Sequence, residues 1–289
     1  MNSVCDPTQT NDAKTNPFRQ AASLTCDHDI LPQSGRYWHL LLTIVVVGET
    51  PGAWETLGLP LLLIRPRPGT SLQALRAEGV RQAVTPLAAV VNPNYYPSAQ
   101  WLEEALRADA DVTAGCIAPA HKLSWFGWAV YFTEYSHVAP PMREGRLEPE
   151  EAWLTPGGNV IYRKDTVPLD AMQSSDRELD FHRRIAAQGV RFVRRPHMIA
   201  HFQNLQSFRG YCSERWHFSS DLGRARLSGW RQVAILAALP FLVPARVVWN
   251  IAVRGRYLGR LLLALPLVIL IGLVQTAGEF RGALRFGKP

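Results

Sequence analysis

LLLTIVVVGETPGAWETLGLPLLLIRPRPGTSLQALRAEGVRQAVTPLAAVVNPN, residues 40–94, decides the fold. Leu40 to Val47 is a continuous apolar, β-branched run ending at Gly48, as expected of a strand covered on both faces. Leu59 to Ile64 is a second strand. It is closed by Arg65-Pro66-Arg67-Pro68-Gly69, which cannot continue a hydrogen-bonded ladder. Ser71 caps a helix that runs to Gln82, with Leu72, Leu75 and Ala83 on one face. Leu87 to Val91 is a third strand, stopped by Asn92-Pro93-Asn94. This rhythm predicts an α/β domain, a mostly parallel sheet with helices on both faces. Ligands of such sheets bind beyond the carboxyl ends of the strands. The turns after Val47, Ile64 and Val91 are therefore where a site is expected.

Further along, Pro97 and Ser98 open a helix over Ala99 to Ala108, and Val112 to Ala118 reads as a strand. Residues 123–155 are rich in aromatics (Trp125, Phe126, Trp128, Tyr131, Phe132, Tyr135) and read as loop. Asn159 to Tyr162 is a short strand after Gly157-Gly158. Asp176 to Gln188 is a helix ended by Gly189. Val190 to Val193 is a strand leading to Pro196 and His201. Upstream, Ser3-Val4-Cys5 reads as a short strand and Phe18 to Leu24 as a short helix. There is no internal repeat.

The 289 residues are 47% hydrophobic and 19% charged, which excludes collagen, a low-complexity tail and a disordered activator. The four cysteines, Cys5, Cys26, Cys116 and Cys212, are far apart and form no CxxC. A disulfide scaffold and a cysteine-rich zinc module are thereby disfavoured, and a reducing, cytosolic setting is expected. Residues 1–35 are polar and read as carrying no secretory leader.

The net charge of +7 is unevenly placed: residues 206–289 hold 12 Arg/Lys against 3 Asp/Glu, residues 1–205 hold 19 against 21. The basic excess flanks the two longest apolar runs, Val233 to Ala245 and Leu261 to Val274. Arginines beside apolar helices suit anionic lipid headgroups better than nucleic acid, so membrane lipids are an expected partner and nucleic acid is not. Each run is shorter than the roughly 20 residues of a spanning helix. Interfacial or re-entrant helices, a tight hairpin with snorkelling arginines and a buried core helix pair all remain open. The expected division is a domain over residues 1–205 and a basic, hydrophobic, membrane-associated helical region over 206–289.

Taken in order, these pieces resemble the membrane-associated family 2 glycosyltransferases of the GT-A fold, which implies a Rossmann-like mixed sheet with helices on both faces. Ser3-Val4-Cys5-Asp6-Pro7-Thr8 is similar to the family's first strand and nucleotide-side turn, and Leu42 to Gly48 to its second strand. Ala74-Leu75-Arg76-Ala77-Glu78-Gly79 resembles its Ala-Arg-Asn-Ala-Gly helix. Val90-Val91-Asn92-Pro93-Asn94, followed by Pro97 and Trp101-Leu102-Glu103, resembles the strand and helix around its Asp-x-Asp. Gly157-Gly158-Asn159-Val160 resembles the acceptor-side Gly-x-Asn strand. Asp176-Arg177-Glu178-Leu179-Asp180-Phe181 resembles the Glu-Asp helix carrying the catalytic base. His201 stands where a histidine follows the last core strand. Cys212-Ser213-Glu214-Arg215-Trp216 is similar to the Gln-x-x-Arg-Trp of processive members, with Cys for Gln, which speaks against processive polymerisation.

The resemblance implies a nucleotide-sugar donor, a glycan or lipid-linked acceptor and inverting transfer at the cytosolic membrane face. Glu178 would be the base, with Asp180 beside it. Thr8, Arg65, Arg67, Arg76, Asn92 and Asn94 would face the donor, and Asn159, Arg215 and Trp216 the acceptor. A Mn²⁺ or Mg²⁺ would fall to Asn92, Asn94 and His201. Here the sequence departs from the family: Asn92-Pro93-Asn94 offers amide oxygens but no negative charge, and hard divalent cations favour carboxylates. Arg65, Arg67 and Arg76 would then supply fixed positive charge to a diphosphate, since guanidinium forks fit phosphate oxygens. The loss of carboxylates also leaves open a non-catalytic GT-A-fold binding or scaffold subunit of a membrane glycan-assembly complex. A dinucleotide-binding Rossmann protein is set aside, because no G-x-G-x-x-G follows any strand.

Overall fold

The computed structural model describes residues 40–175, 177–225 and 230–285. Eight strands form one sheet: β1 (Leu42–Val47), β2 (Leu61–Ile64), β3 (Leu87–Val91), β4 (Tyr95–Pro97), β5 (Val112–Pro119), β6 (Gly145–Leu147), β7 (Asn159–Arg163) and β8 (Phe192–Phe202). The order is β2-β1-β3-β7-β5-β8-β4, with β6 also on β8. β1 is parallel to both β2 and β3, and β5 to β8. β7 lies antiparallel between β3 and β5, and β4 and β6 are antiparallel to β8. The sheet is mixed, as the family resemblance implies, rather than mostly parallel as the strand–helix rhythm alone suggests, because β7 returns up the middle of it.

The strands expected at 40–47, 59–64, 87–91, 112–118 and 159–162 form close to the predicted bounds. β1 to β3 are nearly continuous apolar runs because both faces are covered. Helix α1 (Leu72–Gln82) starts at Ser71, whose hydroxyl accepts from Ala74 N at 3.1 Å. Its buried face holds Leu75, Arg76, Gly79 and Val80, while Leu72 is half exposed instead of sharing that face. Gly79 is required there: a Cβ would lie 2.3 Å from Val45 Cγ1, so α1 packs directly on β1.

Two stretches differ from expectation. Trp125–Tyr135 is a helix, labelled α3, where a loop was expected; α2 is Trp101–Leu106. Ser124 caps α3 through Gly127 N at 3.0 Å. The helix is buried nearly all round, so its sequence shows no amphipathic period. The second is β8, which continues through Pro196 to Phe202 instead of stopping at Val193. Its pairing with β5 jumps from Ala114↔Arg194 to Cys116↔Ile199. Pro196 sits in that bulge, where no ladder N–H is needed.

Helices α4 (Leu169–Gln173) and α5 (Glu178–Ala187) follow β7. With α1 and a 3-10 helix over Pro149–Leu154, they cover one face of the sheet around Val45, Val90, Val160 and Tyr162. The other face, Leu42, Ile44, Val46 and Ala89, is covered by α2 and α3, and residues of two long C-terminal helices extend the same apolar cluster beyond α3. These follow α6 (Phe208–Ala225) as α7 (Trp230–Arg254) and α8 (Leu258–Arg285). Both apolar runs thus lie in continuous helices longer than the runs themselves, with Pro240 and Pro244 inside α7 and Pro266 inside α8. Over Leu258–Ala283, α8 is long and apolar enough to cross a membrane, by length and composition.

Candidate active site

The turn after β3 is the centre of the site. Asn92 Oδ1 accepts from Asn94 N at 2.9 Å, so the first asparagine spends its side chain on folding its own turn. Its carbonyl accepts from Tyr95 N at 3.1 Å and from Trp54 Nε1 at 2.9 Å. Trp54 belongs to a 3-10 helix, Gly52–Leu57, that follows β1. Gly52 has φ +65°, and a Cβ on it would fall 2.3 Å from Pro93 O. Only glycine lets the loop after β1 close against the turn after β3.

From the other side the turn meets Gly157-Gly158. Asn92 N donates to Gly158 O at 3.1 Å, and a Cβ on Gly158 would stand 2.8 Å from both Asn92 Cβ and Tyr95 Cε2. A Cβ on Gly157 would stand 1.5 Å from Glu178 Oε2. The carboxylate of Glu178, on the first turn of α5, therefore lies across the glycine backbone in space that any other residue would fill. It carries about a fifth of its full exposure, 22%. Arg76 Nη1 donates to Oε2 at 2.9 Å, and the Arg76 side chain is 10% exposed. Gln73, one turn before Arg76 on α1, completes the clasp. With its amide oxygen facing the donors it accepts from Glu178 N and Arg76 Nη1, both at 3.1 Å.

The second carboxylate oxygen, Oε1, is buried and has no hydrogen-bond partner. It lies 4.0 Å from Nε2 of His182, which is one helical turn along α5 and fully buried. His182 Nε2 and the Tyr162 hydroxyl share a 2.8 Å hydrogen bond. Burial, opposed by Glu178 and aided by Arg76, pulls the His182 pKa down to about 4, so the ring is neutral at neutral pH. Burial and the neighbouring Glu178 charge raise the Tyr162 pKa well above its usual value. Glu178 is thus a carboxylate with one oxygen charge-paired and the other buried without a hydrogen-bond partner, beside two neutral polar groups. That is an arrangement able to accept a proton.

The remaining expected residues divide. Asp180 is exposed and two positions from Glu178 on α5, so it points away from it and does not share the site. Asn159 is fully buried: Oδ1 accepts from Trp101 Nε1 at 2.7 Å, and Nδ2 donates to Cys116 O and Met198 O, both at 2.8 Å. It clasps α2, β5 and β8 to β7 and presents no amide to an acceptor. Arg67 is ion-paired with Glu78 and Arg76 with Glu178, so two of the three arginines of the expected diphosphate clamp are already neutralised. Arg65 is exposed at the end of β2, with no ion-pair partner among the described residues.

His201 stacks on Tyr96, ring centroids 4.9 Å apart, with Nδ1 toward Pro119 O at 3.4 Å, and burial lowers its pKa. Two neutral amides, one of them used in its turn, and this histidine do not fit a hard divalent cation. No group of three or more His, Cys, Asp or Glu able to hold a metal occurs among the described residues. Arg215 and Trp216 lie on α6, engaged in helix packing: Arg215 pairs with Glu134 of α3 at 2.7 Å, and Trp216 lies under Arg281 of α8 at 5.5 Å. Thr8 and Asp176 lie outside the described residues.

Gln73, Tyr162 and His182 escaped the sequence reading. Gln73 at three before Arg76 and His182 at four after Glu178 sit at helical neighbour spacings, and that was the available signal.

No protein-family model matches the sequence, and no curated protein does. Among solved structures the chain is similar to the mannosyltransferase PcManGT from Pyrobaculum calidifontis in complex with GDP-Man and Mn2+. Identity is 14%, coverage 85% of this chain and 86% of that one, and the TM-score 0.41. It is also similar to TarS 1-349 of S. aureus, at 12% identity, 86% and 92% coverage and TM-score 0.37. A197 from STIV is similar at 9% identity, 57% and 86% coverage and TM-score 0.34.

Proposed function

We propose that the chain is a GT-A-type glycosyltransferase of family 2 character. It moves a sugar from a nucleotide-sugar donor to a lipid-linked or polysaccharide acceptor at the cytosolic face of a membrane, with inversion. The observation that carries this reading is the Glu178 carboxylate. It lies on the first turn of α5 across Gly157, whose neighbour Gly158 bonds Asn92 in the turn beyond β3, with Oε1 buried and unpartnered. In an in-line displacement the acceptor hydroxyl attacks the anomeric carbon, its proton passes to Glu178, and the nucleoside diphosphate leaves. Of the three arginines of the expected clamp, Arg65, exposed just after β2, is the cation left for such a leaving group, since Arg67 and Arg76 are paired with carboxylates. The residues at the Asn92 turn do not suit a divalent cation. The region over residues 206–289 is assigned to membrane contact and residues 1–205 to the transferase.

Replacing Glu178 by Gln keeps shape and removes basicity. Turnover is expected to fall by about 10²-fold or more while donor binding persists. Unchanged turnover would take Glu178 out of the role.

A second reading is favoured by one observation: the turn after β3 has no carboxylate to bind a metal that would hold the leaving diphosphate, and Arg67 and Arg76 are both already paired with carboxylates. On that reading the chain is a non-catalytic binding or scaffold subunit. Thermal-shift titration against nucleotide sugars, with and without Mn²⁺ and paired with donor turnover, separates the two. A donor at about 100 times its dissociation constant adds roughly 2.7 kcal/mol. A donor-selective shift with turnover of that donor supports the transferase, a shift without turnover supports a non-catalytic binding subunit, and the response to Mn²⁺ reports metal dependence. No shift with any donor, in folded protein, supports the scaffold.

A further inference from the structure

The hairpin of α7 and α8 has one buried and one bare face. The buried face of α8, Leu261, Ala264, Val268 and Ile271, repeats at three- and four-residue spacing and joins the core with Val247 and Ile251 of α7. The bare face is apolar: Phe241 is 76% exposed, Trp249 70% and Val253 67% on α7, and Leu262 69% and Leu263 56% on α8. Arg246, Arg256 and Arg281 are exposed on the same two helices and the turn between them. An apolar face rimmed by arginines fits anionic lipid, with aliphatic stems in the acyl boundary and guanidiniums on phosphates.

The packing of α8 decides how it can meet that lipid. Near its start, Arg260 lies over Trp128 of α3 at 5.8 Å, and Tyr257 packs on the same ring. Near its end, Gly278 allows Trp216 O and Ser219 Cβ of α6 within 3 Å of where a Cβ would be, and Gly223 of α6 meets Glu279 O. Residues 260 and 279 are about 28 Å apart along a helix, close to the hydrocarbon thickness of a bilayer. A spanning α8 would have to carry α3 and α6 across with it. But α6 bears exposed Arg209, Glu214 and Asp221, and it is tied to α3 by Arg215–Glu134. Charged, water-facing helices cannot line a hydrocarbon core.

We propose that the α7–α8 hairpin docks flat on an anionic bilayer, its bare face sunk to the acyl boundary, without α8 crossing. The test uses the full-length protein with a C-terminal tag, added to sealed vesicles of phosphatidylcholine alone or with 30% phosphatidylglycerol. The protein should float with the anionic vesicles, bind the neutral ones at least tenfold less, come off in alkaline carbonate, and leave its tag open to external protease. Trp249→Glu with Leu262→Glu should abolish flotation at unchanged circular dichroism, while Val84→Glu, at an exposed valine after α1, should not change it. Arg246→Gln and Arg281→Gln should each weaken binding to anionic vesicles about fivefold. Carbonate-resistant protein with a protected tag would establish a span and overturn the proposal. So would a folded protein that ignores vesicles, or one whose bare face proves to be a self-association surface that Trp249→Glu with Leu262→Glu dissolves.

Discussion

At the residue scale the candidate site depends on a missing methyl group. The Glu178 carboxylate occupies the place of a Gly157 side chain. Gly157→Ala should leave the backbone alone, since the clash is with the far end of a flexible side chain. The carboxylate must swing out, and Arg76 then loses its partner while still nearly buried. We expect destabilisation by about 2 kcal/mol, in the range for a buried group left short of a hydrogen bond. Turnover should fall about 10²-fold or more. Paired urea melts and donor-turnover assays check this, and an alanine variant with full turnover would mean the carboxylate does not act from where it sits. Two buried histidines make a second prediction. Burial lowers the pKa of His182 and of His137 to about 4, with Arg246 and Arg254 adding to the effect at His137. The unfolded chain takes up these protons first as pH falls through about 6.5, so stability present above that value is lost between 6.5 and 4. Each histidine contributes a slope of about 1.4 kcal/mol per pH unit. Unfolding midpoints at pH 7.5, 6 and 5 should fall accordingly, and His182→Gln should remove about half of the slope. Equal slopes in the two proteins would count against this origin.

At the element scale, what could be read from the chain and what could not follow from the same physics. Strands β1, β3 and β5 are runs of small and β-branched residues bounded by glycine, proline or asparagine, so pattern and neighbours agree. Helix α3 was illegible because Trp125-Phe126-Gly127-Trp128-Ala129-Val130-Tyr131-Phe132 is apolar all round. Periodicity is the signal of a surface helix, and α3 lies between the sheet and the hairpin. The site was legible to the extent that local chemistry fixes it: Glu178 and the Gly157-Gly158 pair stand out, and so does Arg76. Asn159 reads in sequence as an acceptor contact, and its burial is a property of packing. A strand-opening asparagine reads the same whether its amide meets solvent or closes a core. Asn159→Ala tests its structural role: Trp101 Nε1 and the carbonyls of Cys116 and Met198 would lose their partner together. The loss should be about 3 kcal/mol or more, set by orphaned buried groups rather than lost volume. Chemical denaturation measures it. A cost under 1 kcal/mol would show that water replaces the amide, and would return Asn159 to consideration as a ligand contact.

At the scale of the whole molecule, the helices that the sequence sets apart as an appendage share their core with the sheet. One apolar cluster contains Leu42 and Ile44 of β1, Trp101 of α2, Phe132 of α3, Val247 and Ile251 of α7, and Leu261 and Val268 of α8. Polar ties run along the same seam. Glu134 of α3 accepts from Arg215 and from the Tyr211 hydroxyl of α6, and Arg254 of α7 donates to His137 O at 2.9 Å. Cutting the chain after residue 225 would leave α3 with Trp128 and Phe132 uncovered and Glu134 still held, a surface too apolar for a stable monomer. The expectation is therefore one cooperative transition for the intact protein, with calorimetric and van't Hoff enthalpies equal within error. The fragment 1–225 should aggregate or bind a hydrophobic dye without a cooperative melt. Two resolved transitions, or a soluble fragment with a sharp one, would show that the sheet folds without the hairpin. If the prediction holds, α7 and α8 fold together with the sheet on which α5, the helix that carries Glu178, is packed. The orientation of the Asn92 turn against a membrane would then be fixed by the packing of the core rather than by a linker.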